Sequence, residues 1–439
     1  MPAFSAPSRL SLRSICWLSL LLQAAFLAAA AGLPVPESAP FLLSPTVVLL
    51  ASVLKPLDDT RMREKLAATC LQRPNWRVHV AGRATGAGLI DDSPRLHRHA
   101  IFGGSRLSLG RLAAQWRYWQ LLRRAQPALV IVTAPELLPL TLLWQRFGRG
   151  WQFIYDIQEN YALNIRSQGV YPAGVRGLLA SLLRRIETAA ARRASALLLA
   201  EASYAAELPF LKELPASRVL LLENKYQQQP GEVLPRAARP LPPPTEPLRL
   251  LYSGTISELN GVREAIALAR QLRTTSAWPG GVQLTIIGFC QQPALLAELR
   301  IIAAAETEWL TLIGGAKLIP HARLVAEIGR SHLGLLPYRP HPSTERCRPT
   351  KLFEYLAHGL PVLVPPNPLW AGLVQQYAAG LVVDFCQPTA AATQVAAALP
   401  AAGFYPAGPP TDTVLWASEG KKLGHLLESL LPPATFVPA

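Results

Sequence analysis

The chain has 439 residues, half of them apolar and 16% charged. That length suits two domains, and that much apolar material excludes a disordered chain. The net charge of +15 is lopsided: residues 46–226 hold 25 Lys and Arg against 13 Asp and Glu, whereas 227–439 hold 16 against 14.

A basic half calls for an anionic partner or surface. Nucleic acid is not expected, because zinc-finger spacing, basic-zipper heptads and an aromatic-rich RNA-recognition signature are all missing. An anionic membrane surface fits better, since the charge follows a hydrophobic N-terminus. The alternative is an Arg-rich composition spread over solvated faces. Cys16, Cys70, Cys290, Cys347 and Cys386 make no close pair and no Cys/His cluster. A reduced compartment and no bound metal are therefore expected.

Residues 15–35 are mostly apolar and follow Arg9 and Arg13. About 20 apolar residues can span a bilayer, and the basic start with an Ala-rich end also suits a signal peptide. Three readings stand: an anchor or interfacial segment, a signal peptide, or an unused upstream start. The first strand-like run begins at Thr46, so the fold is expected to manage without 1–45.

From there, Val/Ile/Leu runs alternate with helical stretches. The first-half strands read as 46–54, 76–81, 128–133, 151–156, 195–200 and 218–223, with helices such as 61–72, 111–125 and 173–193 between them. Uninterrupted apolar strands separated by helices indicate a parallel sheet covered on both faces. Helix 173–193 carries Arg176, Arg184, Arg185, Arg192 and Arg193 beside leucines. It reads as a membrane-surface helix or as a core-packed helix with a solvated basic face.

Residues 227–247 hold seven prolines and no apolar period, which reads as a stiff linker. The alternation then restarts with strands 248–253, 282–288, 309–313, 332–337, 361–364 and 380–384, helices such as 261–273 and 350–358, and a last helix near 417–431. The expected architecture is α/β: two tandem Rossmann-like, doubly wound parallel-sheet domains facing a central cleft. Residues 46–226 form the first and 248–439 the second, whose final helix crosses back. Ligands in such sheets sit at the carboxyl ends of the strands.

The strongest chemical signal runs from Pro349 to Val362. Thr350 can cap a helix, and Lys351 and Glu354 share one face of its first turn. A helix start offers N–H groups to phosphate. Lys351 can neutralise a diphosphate, and Glu354 can accept both hydroxyls of a ribose. Taken alone, the pair also reads as an ordinary helix salt bridge. Gly254 and Thr255 follow a strand, where a turn can bring N–H groups to a diphosphate. Arg346 and Arg348 precede the helix and suit a pyrophosphate. In the first half, Tyr155 to Tyr161 begins at a strand end. Glu159 there can polarise a hydroxyl or orient a sugar, or it is a polar turn. Asp59 and Arg61 lie after the first strand and either contact a substrate or cap a helix.

The segment Pro349-x-Lys351-x-x-Glu354-Tyr355-x-Ala357-x-Gly359-x-Pro361-Val362 resembles the donor-site signature of GT-B glycosyltransferases, family 4 above all. Tyr252 to Thr255 with Gly261, Leu312 to Gly314, and Leu222 to Asn224 resemble other segments of that family. The resemblance implies transfer of a sugar from a nucleotide-diphosphate sugar to an acceptor hydroxyl, with retention and without metal or further cofactor. Gly254, Thr255, Ile313, Gly314, Arg348, Lys351 and Glu354 would bind the donor. Asp59, Arg61 and Asn160 would bind the acceptor, and Glu159, Lys351 and Arg346 would serve catalysis. The acceptors implied are growing glycans or lipid-linked sugars, and the location is cytoplasmic, at the inner face of a membrane. This chain departs from the family in four places. Arg346 stands where a first glutamate is common, Asn260 where a base is common, and Gln158 where a histidine is common. The glycine pair after the first strand is missing. A sugar-nucleotide epimerase and a non-catalytic sugar-nucleotide-binding protein are the rivals. A dinucleotide oxidoreductase is not expected, because G-x-G-x-x-G follows none of the strands.

Overall fold

In the computed structural model the apolar runs become strands of two parallel sheets, and the stretches between them become helices. Residues 45–84, 93–105, 108–148, 150–167, 172–274, 278–341 and 344–431 are described. The apolar stretch 15–35, with the choice between its three readings, lies outside the described residues. The chain divides into one unit of Met1–Leu222 with Gly420–Ala439, and a second of Glu223–Glu419.

The first unit holds seven strands: β1 Thr46–Pro56, β2 Trp76–Arg83, β3 Leu96–Phe102, β4 Leu129–Val132, β5 Gln152–Ile157, β6 Ala196–Leu199 and β7 Val219–Leu221. They pair in the order β3-β2-β1-β4-β5-β6-β7, every pair parallel. Val48, Leu49, Leu50, Val130, Ile131 and Phe153 are fully enclosed, as expected of strands covered on both faces. β3 is an addition to the strands expected from sequence. Its residues Leu-His-Arg-His-Ala-Ile-Phe lie at the sheet edge. An edge strand needs no continuous apolar run, so its polar composition hid it.

The second unit holds β8 Leu248–Ile256, β9 Val282–Cys290, β10 Leu310–Gly315, β11 Leu333–Leu335, β12 Val362–Val364 and β13 Gly380–Val382. Their order is β10-β9-β8-β11-β12-β13, again all parallel. Both sheets therefore grow outward from their first strand, one way and then the other. Each has a switch point, between β1 and β4 in one and between β8 and β11 in the other. Ligands of such sheets bind at the carboxyl ends of the strands there.

The proline-rich stretch 227–247 falls within the second unit, Glu223–Glu419. Prolines erase its apolar period, but the backbone groups that remain still find partners. Tyr226 N donates to Val414 O at 3.0 Å, and Arg239 N donates to Gly359 O at 2.9 Å. The last helix, Trp416–Leu430, passes from the second unit into the first at Gly420. In the first unit Arg73 donates to Gly424 O at 2.6 Å and Gln152 donates to Leu430 O at 2.8 Å. Where the chain crosses, buried Glu419 takes a 2.6 Å ion pair from Lys225.

Candidate functional site

The second unit's switch point is built around two glycines. Gly254, near the end of β8, has φ +89°, and a Cβ there would stand 2.5 Å from Lys351 Cε. Gly261 has φ +77°, and its Cβ would lie 1.7 Å from the carbonyl oxygen of Pro337, just beyond β11. Backbone cannot step aside as a flexible side chain does, so only glycine fits at 261. The turn between them is held at the Thr255 carbonyl, which accepts from Tyr252 OH at 2.9 Å and Asn260 Nδ2 at 3.0 Å. The Thr255 side chain stays exposed.

Helix Thr350–Ala357 starts beside this turn. Thr350 was expected to cap it, but Pro349 occupies the cap position and its side chain makes no bond to the first N–H groups. An anion can take that place. Proline before the helix explains the change, since it fixes φ and needs no partner for a missing N–H. The Lys351 ammonium stands 4.9 Å from the Tyr252 ring and 5.6 Å from the Tyr338 ring. Burial pushes its pKa down to about 8, with Glu354 opposing the change. One turn on, Glu354 is 8% exposed, and its Oε1 lies 2.7 Å from His321 Nε2. Tyr355 ties the helix to β8 through a 2.8 Å bond with Ser253 Oγ.

The loop before the helix is pinned from the next one. Asn367 Nδ2 donates to Glu345 O at 2.6 Å, and Trp370 Nε1 donates to Cys347 O at 2.7 Å. Arg346 is exposed, 3.9 Å from Glu345. Arg348 was expected to face a pyrophosphate, yet it makes a 2.9 Å ion pair with Glu223, so part of its charge is already spent. At the end of β10, Gly314 is exposed with φ +86°, and its Cβ would meet Ile319 at 2.4 Å. Ile313 is half-buried against the cluster that holds Tyr226 and Leu352.

The first unit arranges its counterparts differently. Arg61 is enclosed in the fold: it is 4% exposed and Asp156 is 0% exposed. Arg61 donates to Asp156 through NH2 at 2.7 Å and Nε at 3.1 Å, and to Leu222 O through NH1 at 2.9 Å. Burial works against the Arg61 charge, but Asp156 outweighs it and the pKa rises. Asp59 caps helix Thr60–Ala67, accepting from Met62 N at 2.9 Å. Asn160 is also engaged within the fold. It donates to Glu207 at 3.0 Å and accepts from Arg184 at 2.7 Å. Glu159 is half-buried at the end of β5 and accepts from Asn164 at 2.9 Å. Of these four residues, Arg61, Asp59 and Asn160 thus have clear structural work, and Glu159 keeps access to solvent.

His321 was missed from sequence. It opens helix His321–Arg330 directly after Pro320, and that proline-histidine start, following the β10 turn, is the signal that marks it.

The family model for the Glycosyl transferase 4-like domain matches residues 64–225. No curated protein sequence is similar to the chain at a significant level. Among solved structures, sucrose-phosphate synthase from Thermosynechococcus elongatus is similar at a TM-score of 0.62 and 15% identity, covering 88% of this chain and 99% of that one. A glycosyltransferase from Rickettsia africae aligns at 0.59 and 12% identity, over 89% and 100% of the two chains. HepE from Anabaena, solved with UDP and glucose, aligns at 0.56 and 13% identity, over 88% and 100%. The chain thus carries a match to the glycosyl transferase 4-like domain over residues 64–225, and its two parallel-sheet units have the GT-B fold of these solved structures.

Proposed function

We propose that the chain moves a sugar from a nucleotide-diphosphate sugar to a hydroxyl of a glycan or lipid-linked acceptor, with retention and without a metal ion. The observation that carries this reading is the juxtaposition of Gly254, the Lys351 ammonium and the proline-capped start of helix Thr350–Ala357, with Glu354 one turn on. A diphosphate placed there meets N–H groups and a cation that is short of solvent. Charge builds on that diphosphate as the glycosidic bond breaks. Cations set in advance stabilise it without waiting for solvent to reorganise. Exposed Arg346 supplies a second positive group on the same loop. Glu354 takes the ribose hydroxyls, and Ile313 and Gly314 lie at the end of β10 for the base.

In the first unit, Glu159 is the group we assign to orienting the sugar or polarising the acceptor hydroxyl. HepE, of the same fold, was solved with UDP and glucose, which supports a nucleotide-sugar donor here. We also place the enzyme at the cytoplasmic face of an anionic membrane, on the basic balance of residues 46–226. No helix among the described residues is long and apolar enough to cross a membrane, so docking would be through surface charge. Vesicle binding that needs anionic lipid and weakens with salt checks this, and equal binding to neutral vesicles refutes it.

The test of the donor site is Glu354→Gln. Bonds to an ionised group are worth roughly 1.5–3 kcal/mol, so donor affinity should fall by about ten- to a hundredfold, with the thermal midpoint little changed. Calorimetric titration with a panel of sugar nucleotides measures it. Unchanged affinity would remove Glu354 from the site.

A further inference from the structure

Glu354 does not stand alone in its enclosure. Its Oε1 lies 2.7 Å from His321 Nε2, on a different helix. Behind them, the Tyr226 ring sits 5.9 Å from the His321 ring and 5.4 Å from the His358 ring. Tyr226 OH donates to Glu232 at 2.8 Å, and Glu232 lies 3.2 Å from His358 Nε2. Three separate segments therefore converge behind one carboxylate: helix His321–Arg330, helix Thr350–Ala357 and the proline-rich stretch. The neighbouring charged groups are Lys351 on Glu354's own helix, His358 at that helix's end, and Glu232.

We propose that His321 is a positioning residue for the donor's ribose: its Nε2–H donates to Glu354 Oε1 and holds the carboxylate ready to receive two vicinal hydroxyls. This rests on the reading of Glu354 as the ribose ligand. An ionised carboxylate has about four acceptor sites. One imidazole N–H uses one of them and leaves enough for both hydroxyls. An arginine in the same place would pair with both oxygens at once and compete with the ribose. The single-point contact thus fixes the side chain without using up its capacity. His321 is also placed to respond from outside, since its side chain is 40% exposed while that of Glu354 is 10% exposed.

The alternative is that His321 only starts its helix. The two roles separate on the ribose. Full-length wild type, His321→Leu, His321→Gln and Glu354→Gln are titrated calorimetrically with UDP, ADP and GDP and with their 2′,3′-dideoxy counterparts, using whichever base binds. His321→Leu should weaken the ribonucleotide about tenfold and leave the dideoxynucleotide within about twofold, a ribose-specific loss of roughly 1.4 kcal/mol. His321→Gln, whose amide donates over a similar reach, should recover most of that loss. A purely structural role would weaken both nucleotides together and lower the thermal midpoint. Equal losses on both nucleotides, or no loss on either, overturn the proposal for His321 while Glu354→Gln still shows its ribose-specific loss. If Glu354→Gln shows no ribose-specific loss, the ribose reading itself fails and the proposal falls with it. Should His321→Leu not fold, His321→Ala removes the same donor and carries the same comparison.

Discussion

Lys351 sets two needs against each other, and Lys351→Met exposes both. Its ammonium lies between two phenol rings and against Gly254. Cation–π contact is worth about 0.5–2 kcal/mol in its favour, yet its pKa still falls from 10.5 to about 8. Desolvation therefore wins. Between those two values the unfolded chain binds more protons than the folded one, so stability rises with pH across that window. Below about pH 8 the full cost of the buried charge is present. The fall in pKa corresponds to at most about 3.4 kcal/mol at 1.36 kcal/mol per decade. Solvent screening at a half-buried side chain brings that down to about 1–2 kcal/mol. Lys351→Met keeps the stem and removes the charge. It should raise stability by that amount at pH 7, and the gain should vanish toward pH 10.5. Donor affinity should fall by about ten- to a hundredfold, because a charge-assisted contact to diphosphate is lost. Urea unfolding at pH 7 and pH 10 measures the first effect, and calorimetric titration with sugar nucleotides measures the second. A methionine variant that is less stable at pH 7, and binds donor as well as the parent, would refute the reasoning.

The same lysine makes donor binding depend on pH in the parent protein. Affinity should hold steady below about pH 8 and then fall by up to about tenfold per pH unit as the free ammonium loses its proton, while Lys351→Met should show no such fall. Asp156→Asn should cost about 3–5 kcal/mol in urea unfolding, since it leaves the buried Arg61 guanidinium without its counter-charge; a cost under about 1 kcal/mol would show that Arg61 can reach solvent.

The parts that were legible from sequence are those where one local rule decides. Strands buried on both faces need long apolar runs, so twelve of the thirteen strands among the described residues could be read, and β3 escaped because an edge tolerates His97 and Arg98. Lys351 and Glu354 could be paired because a helix fixes three-residue spacing, and Glu354 indeed favours the Lys351 charge. The cap at Thr350 failed because two rules competed at neighbouring residues and proline took the position. The ion pair of Arg61 was hidden for a different reason. Its partner Asp156 is 95 positions away, and strand pairing, not spacing, brings them together. His321 and Glu354 are 33 apart and were hidden in the same way.

The two sheets share one strand order, yet they treat charge at their switch points in opposite ways. In the first, the cation that follows β1 and the carboxylate at the end of β5 close on each other. Arg61 and Asp156 leave almost no surface, and Gln158 adds a further bond to the same carboxylate at 2.8 Å. Charge that is satisfied inside the fold holds strand ends in place and has little left to offer a ligand. In the second, Gly254 near the end of β8 has no side chain, so nothing of its own fills the space where Lys351 enters. The helix start beside it has no side-chain cap. Burial lowers the pKa of that lysine even with Glu354 beside it, and a dianionic diphosphate would favour its charge further. The shared strand order explains where ligands can bind in either unit. The closed pair in one and the open cation in the other explain why we assign the donor to the second unit.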